Sequence, residues 1–479
     1  MRMIAETAEA MQMPIAVLQV DLKKAFDKVS HSFLFSLLEH CGVGKRLLEY
    51  VKICYKDIRT RLLVNGRKTT SIPVFSSVRQ GCPMSPTLFA LYLEPLCRAV
   101  LSDVNIRGAG LAVSHVKLLA YADDVSVVCT SRPELRLALR HIQEFCSVSG
   151  AEMNTKKSSG SWLGPWMSTP DLCMGIPWTV SLSNYLRVSL DRTKLGSGEG
   201  GTRLQAVRAK ATEWHGRNIS LLNRSHVCNA VFFSCAWYSA RVVPCHNSEV
   251  QKIQRVYATL VWNSCFERTR RTNLFISPHK GGLGLINFHI KLKVHRFLLF
   301  RDKEAPISAA VLRSLGGRYL SSWMDVNVDD DAVKKAPVLR YYKEIAEAVK
   351  YFENRYSMEH LSKVTRKRLY WDTIDLVMPP PLYRSGFTAE ANGSDVFKRL
   401  RRYPVRQGIK DFFYKVSHGS VTSENLGGKE RFFPPMGNKL CHLPLCRDAA
   451  AHVLVLHECQ IILGPAASGS RNFFISYMA

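Results

Sequence analysis

Hydrophobic and polar positions in the first 165 residues alternate between runs typical of strands and spacings typical of helices. The apolar run at residues 15–22 predicts a buried strand that carries Asp21 near its C-terminal end. Helical spacing of apolar residues is shared by five further segments, at residues 1–13, 32–41, 45–55, 87–101 and 132–150. This alternation predicts an α+β fold for the N-terminal part of the chain.

Two hairpins are predicted within this region. Residues 61–67 contain an Asn-Gly turn. The apolar runs 116–120 and 125–128 flank Asp123 and Asp124, which we expect at the tip of the second hairpin. Adjacent carboxylates repel each other unless a cation lies between them, and their hard oxygens suit Mg²⁺ or Mn²⁺. Taken alone, the pair is explained more simply by a solvated acidic turn.

A loop rich in glycine and proline, residues 78–86, precedes the helix at 87–101. Gly81 would let the backbone approach a ligand closely, and Gln80 beside it could touch a base or a sugar. Lys157 could supply a positively charged side chain to the ligand that the acids bind. Simpler explanations are an ordinary loop before a helix and, for Asp21, a cap at the end of a strand.

Beyond a glycine-rich linker at residues 196–201 the sequence becomes helical and basic. Helices are predicted at residues 204–214, 221–238, 250–262 and 288–301. Further along, basic and aromatic residues interleave at residues 366–371, 398–403 and 412–414. That pattern suits RNA, since aromatic rings stack on bases and cations neutralise phosphate, and it fits amphipathic helices equally well.

The charge balance points to a polyanionic partner. Lys and Arg number 66 against 39 Asp and Glu, which gives a formal charge of +27. Nucleic acid is therefore the first candidate partner. No apolar run reaches the length needed to span a membrane, and the N-terminus lacks the apolar stretch of a signal peptide. We expect no membrane partner, an intracellular location in the nucleus or cytoplasm, and reduced cysteines.

Four residues near the C-terminus have an order compatible with a tetrahedral Zn²⁺ site: Cys441, Cys446, His452 and Cys459. The four residues between the first two cysteines are at the upper limit for such sites. Unrelated thiols explain the pattern about as well, so zinc remains an alternative.

Three blocks in fixed order resemble the palm of reverse transcriptases, specifically those of non-LTR (LINE-type) retrotransposons. They are residues 20–27 (VDLKKAFD), 79–86 (RQGCPMSP) and 121–124 (YADD), followed by Asn154 and by Lys157-Ser158. The resemblance implies a right-hand polymerase palm, an antiparallel sheet with helices, then a helical thumb-like region and a small Cys/His segment. The implied domains are a palm at 1–165, the end of the palm and thumb-like region at 166–305, a basic helical region at 306–435, and a zinc-binding segment and tail at 436–479.

Functional residues follow from the resemblance position by position. Asp21, Asp123 and Asp124 match the catalytic acids that bind Mg²⁺ (or Mn²⁺), and Lys157 matches a basic residue near the leaving pyrophosphate. The nucleotide-binding positions match Leu22, Phe26, Gln80 and Gly81, with Phe26 as the residue that excludes a ribose 2′-OH. The implied partners are an RNA template, a DNA primer or target, and a deoxynucleoside triphosphate. The sequence does not indicate which protein partners the chain has.

The chain departs from this family in three respects. About a dozen residues precede the first palm strand, so the fingers region and an endonuclease are expected to be missing. Ser77 stands before the 78–86 loop and Arg187 follows Tyr185-Leu186, and the family usually has glycine at both positions. Two hypotheses follow: an RNA-directed DNA polymerase, or a truncated, non-catalytic nucleic-acid-binding remnant of such an element.

Overall fold

The computed structural model divides the chain into two compact units. Unit 1 comprises residues 1–192 and 303–343, and unit 2 comprises residues 193–302 and 344–479. The structure describes residues 1–111, 114–168, 172–173, 175–180, 182, 184–190, 202–214, 216–264, 266–267, 269–302, 306–324, 339–379 and 407–417. The domain boundaries inferred from the resemblance stay a prediction.

Fourteen strands are assigned in the described residues, all in unit 1. They are β1 (Ile15–Val20), β2 (Arg59–Thr60), β3 (Leu63–Val64), β4 (Arg67–Lys68), β5 (Ile72–Pro73), β6 (Ala109–Leu111), β7 (Ser114–Val116), β8 (Leu118–Tyr121), β9 (Asp124–Cys129), β10 (Ser159–Leu163), β11 (Leu172–Cys173), β12 (Ile176–Thr179), β13 (Asn184–Tyr185) and β14 (Val188–Ser189). Six of them form the main sheet, in the order β11-β12-β10-β1-β9-β8, and the others form two-stranded ribbons.

Sixteen α-helices are assigned in the same described residues. They are α1 (Arg2–Ala10), α2 (His31–His40), α3 (Lys45–Tyr55), α4 (Ser85–Ser102), α5 (Arg132–Ser149), α6 (Thr202–Trp214), α7 (Leu221–Val227), α8 (Phe233–Val242), α9 (Asn247–Trp262), α10 (Thr272–Phe275), α11 (Phe288–Arg301), α12 (Pro306–Leu320), α13 (Arg340–Glu353), α14 (Met358–Lys363), α15 (Arg366–Val377) and α16 (Gln407–Ser417). The predicted α+β class is confirmed. No helix in the described residues is long and apolar enough to cross a bilayer.

Strand β1 lies at the centre of the main sheet because it pairs antiparallel with both β9 and β10. Ala16, Leu18 and Val20 are buried in a core that includes residues of α2, α4 and α5. The pair β10–β12 is parallel and brings Trp178 opposite Gly160. A Cβ atom at Gly160 would come within 2.3 Å of the Trp178 ring, so this close packing requires glycine.

The two predicted hairpins form, with one difference in extent. Asn65 and Gly66 both have positive φ, 49° and 78°, as expected for the turn between β3 and β4. The run at 116–120 is divided at Lys117, because Val116 pairs with Ala109 in the β6–β7 ribbon. A single apolar run therefore supplies residues to two different hairpins.

Unit 2 is helical, and a buried arginine joins several of its segments. Arg296 of α11 is fully buried and pairs with Glu344 at 3.1 Å. Its guanidinium also donates to the carbonyl oxygens of Ala240, Arg241 and Val243, at the end of α8. These bonds satisfy carbonyl groups that the end of a helix leaves without intrahelical partners.

The predicted helix at 221–238 is interrupted by a π-helical turn between α7 and α8, at Cys228–Phe232. Asn229 within this turn donates to the Gly284 carbonyl and accepts from the Ile286 amide, at 2.8 and 2.9 Å. Ser225 donates to the Leu283 carbonyl at 3.1 Å. Side chains of the interrupted helix thus hold the glycine-rich turn at residues 281–284 in place.

Several sequence predictions fall on residues that the structure leaves undescribed. The four candidate zinc ligands, Cys441, Cys446, His452 and Cys459, lie outside the described residues. The glycine-rich linker and the basic segment at 398–403 do so too. The zinc hypothesis therefore stays a prediction.

We expect the stability of unit 2 to fall as the pH drops below about 6.5, partly through His295. Burial, with the charges of Arg296 and Arg241, lowers the pKa of His295 from 6.5 to about 3. Between these values the unfolded chain takes up a proton that the folded chain does not, so acid favours unfolding. The free energy of unfolding, measured with urea at several pH values, should depend less steeply on pH in His295→Gln than in the wild type. An equal pH dependence in the two proteins would contradict this.

Candidate functional site

Asp21 is held in place through its backbone at the end of β1. Its amide donates to the Ser158 hydroxyl at 3.0 Å, and its carbonyl oxygen accepts from the Asn154 amide at 2.8 Å. Ser158 is only 1% exposed, so the anchor is itself fixed by packing. The segment 154–158 therefore positions the first acid.

Asp123 and Asp124 occupy the β8–β9 hairpin, as predicted. Tyr121 pairs with Asp124 across a two-residue turn, in which Ala122 has a φ of 52°. In the neighbouring ladder Val20 of β1 pairs with Val125 of β9. Because that ladder is antiparallel, the next position places Asp21 beside Asp124. The three predicted acids therefore lie together at one end of the two central strands.

The acids interact electrostatically. Burial raises the pKa of Asp124 above its ordinary value, the charges of Asp123 and Asp21 raise it further, and Arg187 lowers it. The group is therefore short of positive charge, which is the condition that a divalent cation relieves.

The donor set fits a hard cation whose coordination is completed by a substrate. Among the described residues, no three His, Cys, Asp or Glu side chains form a ready cage for a metal ion. Mg²⁺ is commonly held by one or two carboxylates together with substrate phosphates, rather than by a cage made of protein alone. Two or three carboxylates at the end of a sheet meet that description.

The loop after Asp21 is tied to the segment that follows α5. Leu22 forms an isolated bridge with Met153, and the Lys23 amide donates to the Glu152 carbonyl at 2.8 Å. The ammonium groups of Lys23 and Lys28 pair with the Glu152 carboxylate, at 3.4 and 2.7 Å. Leu22 is only 7% exposed, and its side chain belongs to the core.

Phe26 and the 78–86 loop are brought together. The Val78 amide donates to the Phe26 carbonyl at 2.7 Å, and the Phe26 ring stacks on Phe89 of α4 with centroids 4.7 Å apart. Gln80 and Gly81 are exposed, and Gly81 has a φ of 84° that favours glycine. The predicted nucleotide-binding residues thus form one neighbourhood next to the loop that follows Asp21.

Lys157 lies in the same segment as the residues that anchor Asp21. Its side chain is exposed and its amide donates to the Asn154 carbonyl at 3.1 Å. The structure therefore places Lys157 in the tight turn directly before Ser158, with its ammonium group available to a ligand.

Two residues were not predicted as site residues and take part in this geometry. Ser158 belongs to the motif at 154–158, and its role as the anchor of Asp21 is visible only in the structure, because the two residues lie far apart in the chain. Arg187 was noted only as a departure from the family. Its charge acts on Asp124, and this proximity depends on long-range folding that no local pattern shows.

Residues 1–179 match the family profile described as reverse transcriptase (RNA-dependent DNA polymerase). The matched residues, called the reverse transcriptase domain below, contain all the predicted catalytic and nucleotide-binding positions.

Relatives of the reverse transcriptase domain come from mobile elements. The chain is 28% identical to the transposon TX1 uncharacterized 149 kDa protein of Xenopus laevis, over 52% of this chain and 19% of that protein. It is 30% identical to the retrovirus-related Pol polyprotein from type-2 retrotransposable element R2DM of Drosophila melanogaster, over 29% of this chain and 13% of that protein. A Pol polyprotein from type-1 retrotransposable element R2 of Popillia japonica is 32% identical over 30% of this chain and 20% of that protein. The resemblance to reverse transcriptases of non-LTR elements is confirmed.

The chain spans a fifth or less of the length of these three relatives. A structure of telomerase from Candida albicans in complex with a fragment of telomeric RNA overlaps 70% of this chain and 49% of its own. The TM-score is 0.31 at 13% identity, too low for the overlap to support an argument.

Ser77→Gly should stabilise the reverse transcriptase domain by about 1 kcal/mol, because a serine is strained in a conformation that favours glycine. Ser77 has a φ of 146°, while its amide donates to Val29 at 3.0 Å, a bond that glycine retains. Urea unfolding measures the change. The control is Ser76→Gly, which removes a hydroxyl that donates to Asp27 at 2.9 Å and should destabilise. A loss of stability in both variants would contradict the assignment of strain.

Asp124→Asn should stabilise the protein in the presence of a chelator at neutral pH. Ionised Asp124 is disfavoured in the fold, so wild-type stability declines relative to the variant as pH rises through 3.8 and the raised folded pKa. The advantage of the variant should therefore vanish in acid. Thermal unfolding at several pH values tests this. Glu94→Gln, which removes a carboxylate paired with Arg98, is the control and should not stabilise.

Proposed function

We propose that this chain is the RNA-directed DNA polymerase of a non-LTR retrotransposon and adds deoxynucleotides to a primer 3′-OH. The observation that carries the proposal is the register that places Asp21 beside Asp124 at the end of β1 and β9, within a reverse transcriptase domain. The relatives among retrotransposable elements support it.

Asp21 and Asp123, with Asp124 beside them, would hold Mg²⁺ or Mn²⁺. When bound, such cations lower the pKa of the primer hydroxyl and neutralise the leaving pyrophosphate. The chain contributes fixed negative charge at the end of a rigid strand. The Ser158 hydroxyl keeps the Asp21 backbone from moving, and this fixes the place at which the α-phosphate is attacked.

Four further residues would act on the incoming nucleotide. Phe26, held by its stacking on Phe89, would exclude a ribose 2′-OH and so select deoxynucleotides. Gln80 and Gly81 would contact the nucleotide and the template from the exposed loop. Lys157 would stabilise the charge that develops on the pyrophosphate.

An RNA template and a DNA primer or target are the partners of this reaction. The formal charge of +27 supports them, because cations that neutralise phosphates supply most of the sequence-independent affinity for nucleic acid. Such an enzyme would act in the cytoplasm or the nucleus.

Asp123→Asn should lower primer extension on an RNA template by at least about a hundredfold, because it removes one of the carboxylates that would hold the cations required for nucleotidyl transfer. RNA binding should change by less than about twofold, since phosphate contacts determine it. Primer extension with Mg²⁺ and a filter-binding assay measure the two quantities.

Glu94→Gln is the matched control, since it neutralises a carboxylate on α4 and should leave extension unchanged. Equal loss of extension and binding in Asp123→Asn would contradict the assignment. Salt-dependent RNA binding without extension in the wild type would instead support the non-catalytic remnant.

A further inference from the structure

A small hairpin is attached to the strand that carries Asp21. The strands β13 and β14 pair through Asn184 and Ser189. Gln19 of β1 donates from its amide nitrogen to the Asn184 carbonyl at 3.1 Å, and its amide oxygen accepts from the Ser159 hydroxyl at 3.2 Å. Gln19 precedes Asp21 by two residues and therefore points to the same face of the strand. The hairpin is thus fixed next to the acids.

The turn of this hairpin consists of two residues in the left-handed region. Leu186 and Arg187 have φ values of 47° and 61°, and Tyr185 pairs with Val188 around them. Glycine or asparagine is the usual residue in such a turn, and a long side chain is strained there. The fold therefore holds an arginine in a backbone conformation that arginine disfavours.

Arg187 is the charged residue of this hairpin, at the turn between β13 and β14, and its side chain is exposed. Because Gln19 fastens the hairpin to β1 two residues before Asp21, this charge lies on the face of the sheet that carries Asp21. The effect on Asp124 agrees with that position, since the guanidinium lowers the pKa of Asp124 against the opposite effects of Asp123 and Asp21. A fixed cation and a dissolved cation would relieve the same shortage of positive charge. Occupancy by one therefore weakens the attraction of the site for the other.

We propose that Arg187 is an internal counter-ion of the acid cluster that competes with the divalent cation, and so sets the cation concentration that the domain requires. This inference rests on the proposed function, in which the same acids hold the metal ion. It assigns to the β13–β14 hairpin a role in metal affinity, determined by the charge of a single side chain.

The test measures Mn²⁺ binding to the full chain by electron paramagnetic resonance, in the absence of nucleotide. Arg187→Gly and Arg187→Asn remove the charge and keep a residue that tolerates the left-handed turn. We expect both to bind Mn²⁺ about fivefold more tightly than the wild type, the effect of one unit charge near the site in water. Arg187→Lys keeps the charge and should stay within about twofold of the wild type. High salt should reduce the difference.

Three outcomes would overturn the inference. Equal Mn²⁺ affinity in all four proteins would show that the charge does not reach the site. Equal tightening in the lysine variant would assign the effect to the backbone. An Asp123→Asn control separates this failure from that of the proposed function: if it binds Mn²⁺ as the wild type does, Asp123 does not hold the metal and the proposed site itself is wrong. Weaker primer–template binding with unchanged Mn²⁺ affinity would make Arg187 a nucleic-acid contact and also overturn the proposal.

Discussion

The register of β1 against β9 is the constraint on which the candidate site depends. A slip of one residue would turn Ala16, Leu18 and Val20 to the opposite face of the sheet and bring the polar side chain of Gln19 to the core beside α2, α4 and α5. Burial of these side chains therefore fixes the position of Asp21 relative to Asp124, with no contact between the two acids being needed. The geometry required for binding cations is obtained as a consequence of core packing. This arrangement explains why a strand buried along almost its whole length carries a carboxylate directly after its last residue.

The same arrangement brings the carboxylates of Asp21, Asp123 and Asp124 together, and their repulsion does not stabilise the fold. Burial and two neighbouring carboxylates raise the pKa of Asp124, which means that the ionised form is disfavoured before any ligand binds. The surroundings offset this cost only in part, through the charge of Arg187. A site with such a deficit is less stable alone than with its ligand, as expected where function and stability compete.

Local patterns in the sequence were sufficient for the elements that local interactions determine. The helices α3 and α11 have the predicted bounds, and the Asn65-Gly66 turn forms as its residue types require. Pairing between distant segments could not be predicted in the same way. The division of one apolar run between β7 and β8, the parallel pair β10–β12, and the bond from Asn229 to Gly284 each depend on residues far apart in the chain. For the same reason the acids could be named from motifs, whereas Ser158 and Arg187 required the structure.

The two positions at which this chain lacks the glycine usual in the family show how firmly the fold imposes its backbone. Ser77 and Arg187 both adopt positive φ angles that glycine reaches without strain. The fold therefore holds a residue with a side chain in a backbone conformation that strains it at both positions. The consequences differ because the side chains differ. Serine adds strain alone, and its effect is confined to stability. Arginine adds strain together with a charge that reaches Asp124, so the same kind of substitution acts on the chemistry of the site. At both positions the φ angle is one that glycine adopts without strain, so the difference between the two departures lies in what the new side chain contributes.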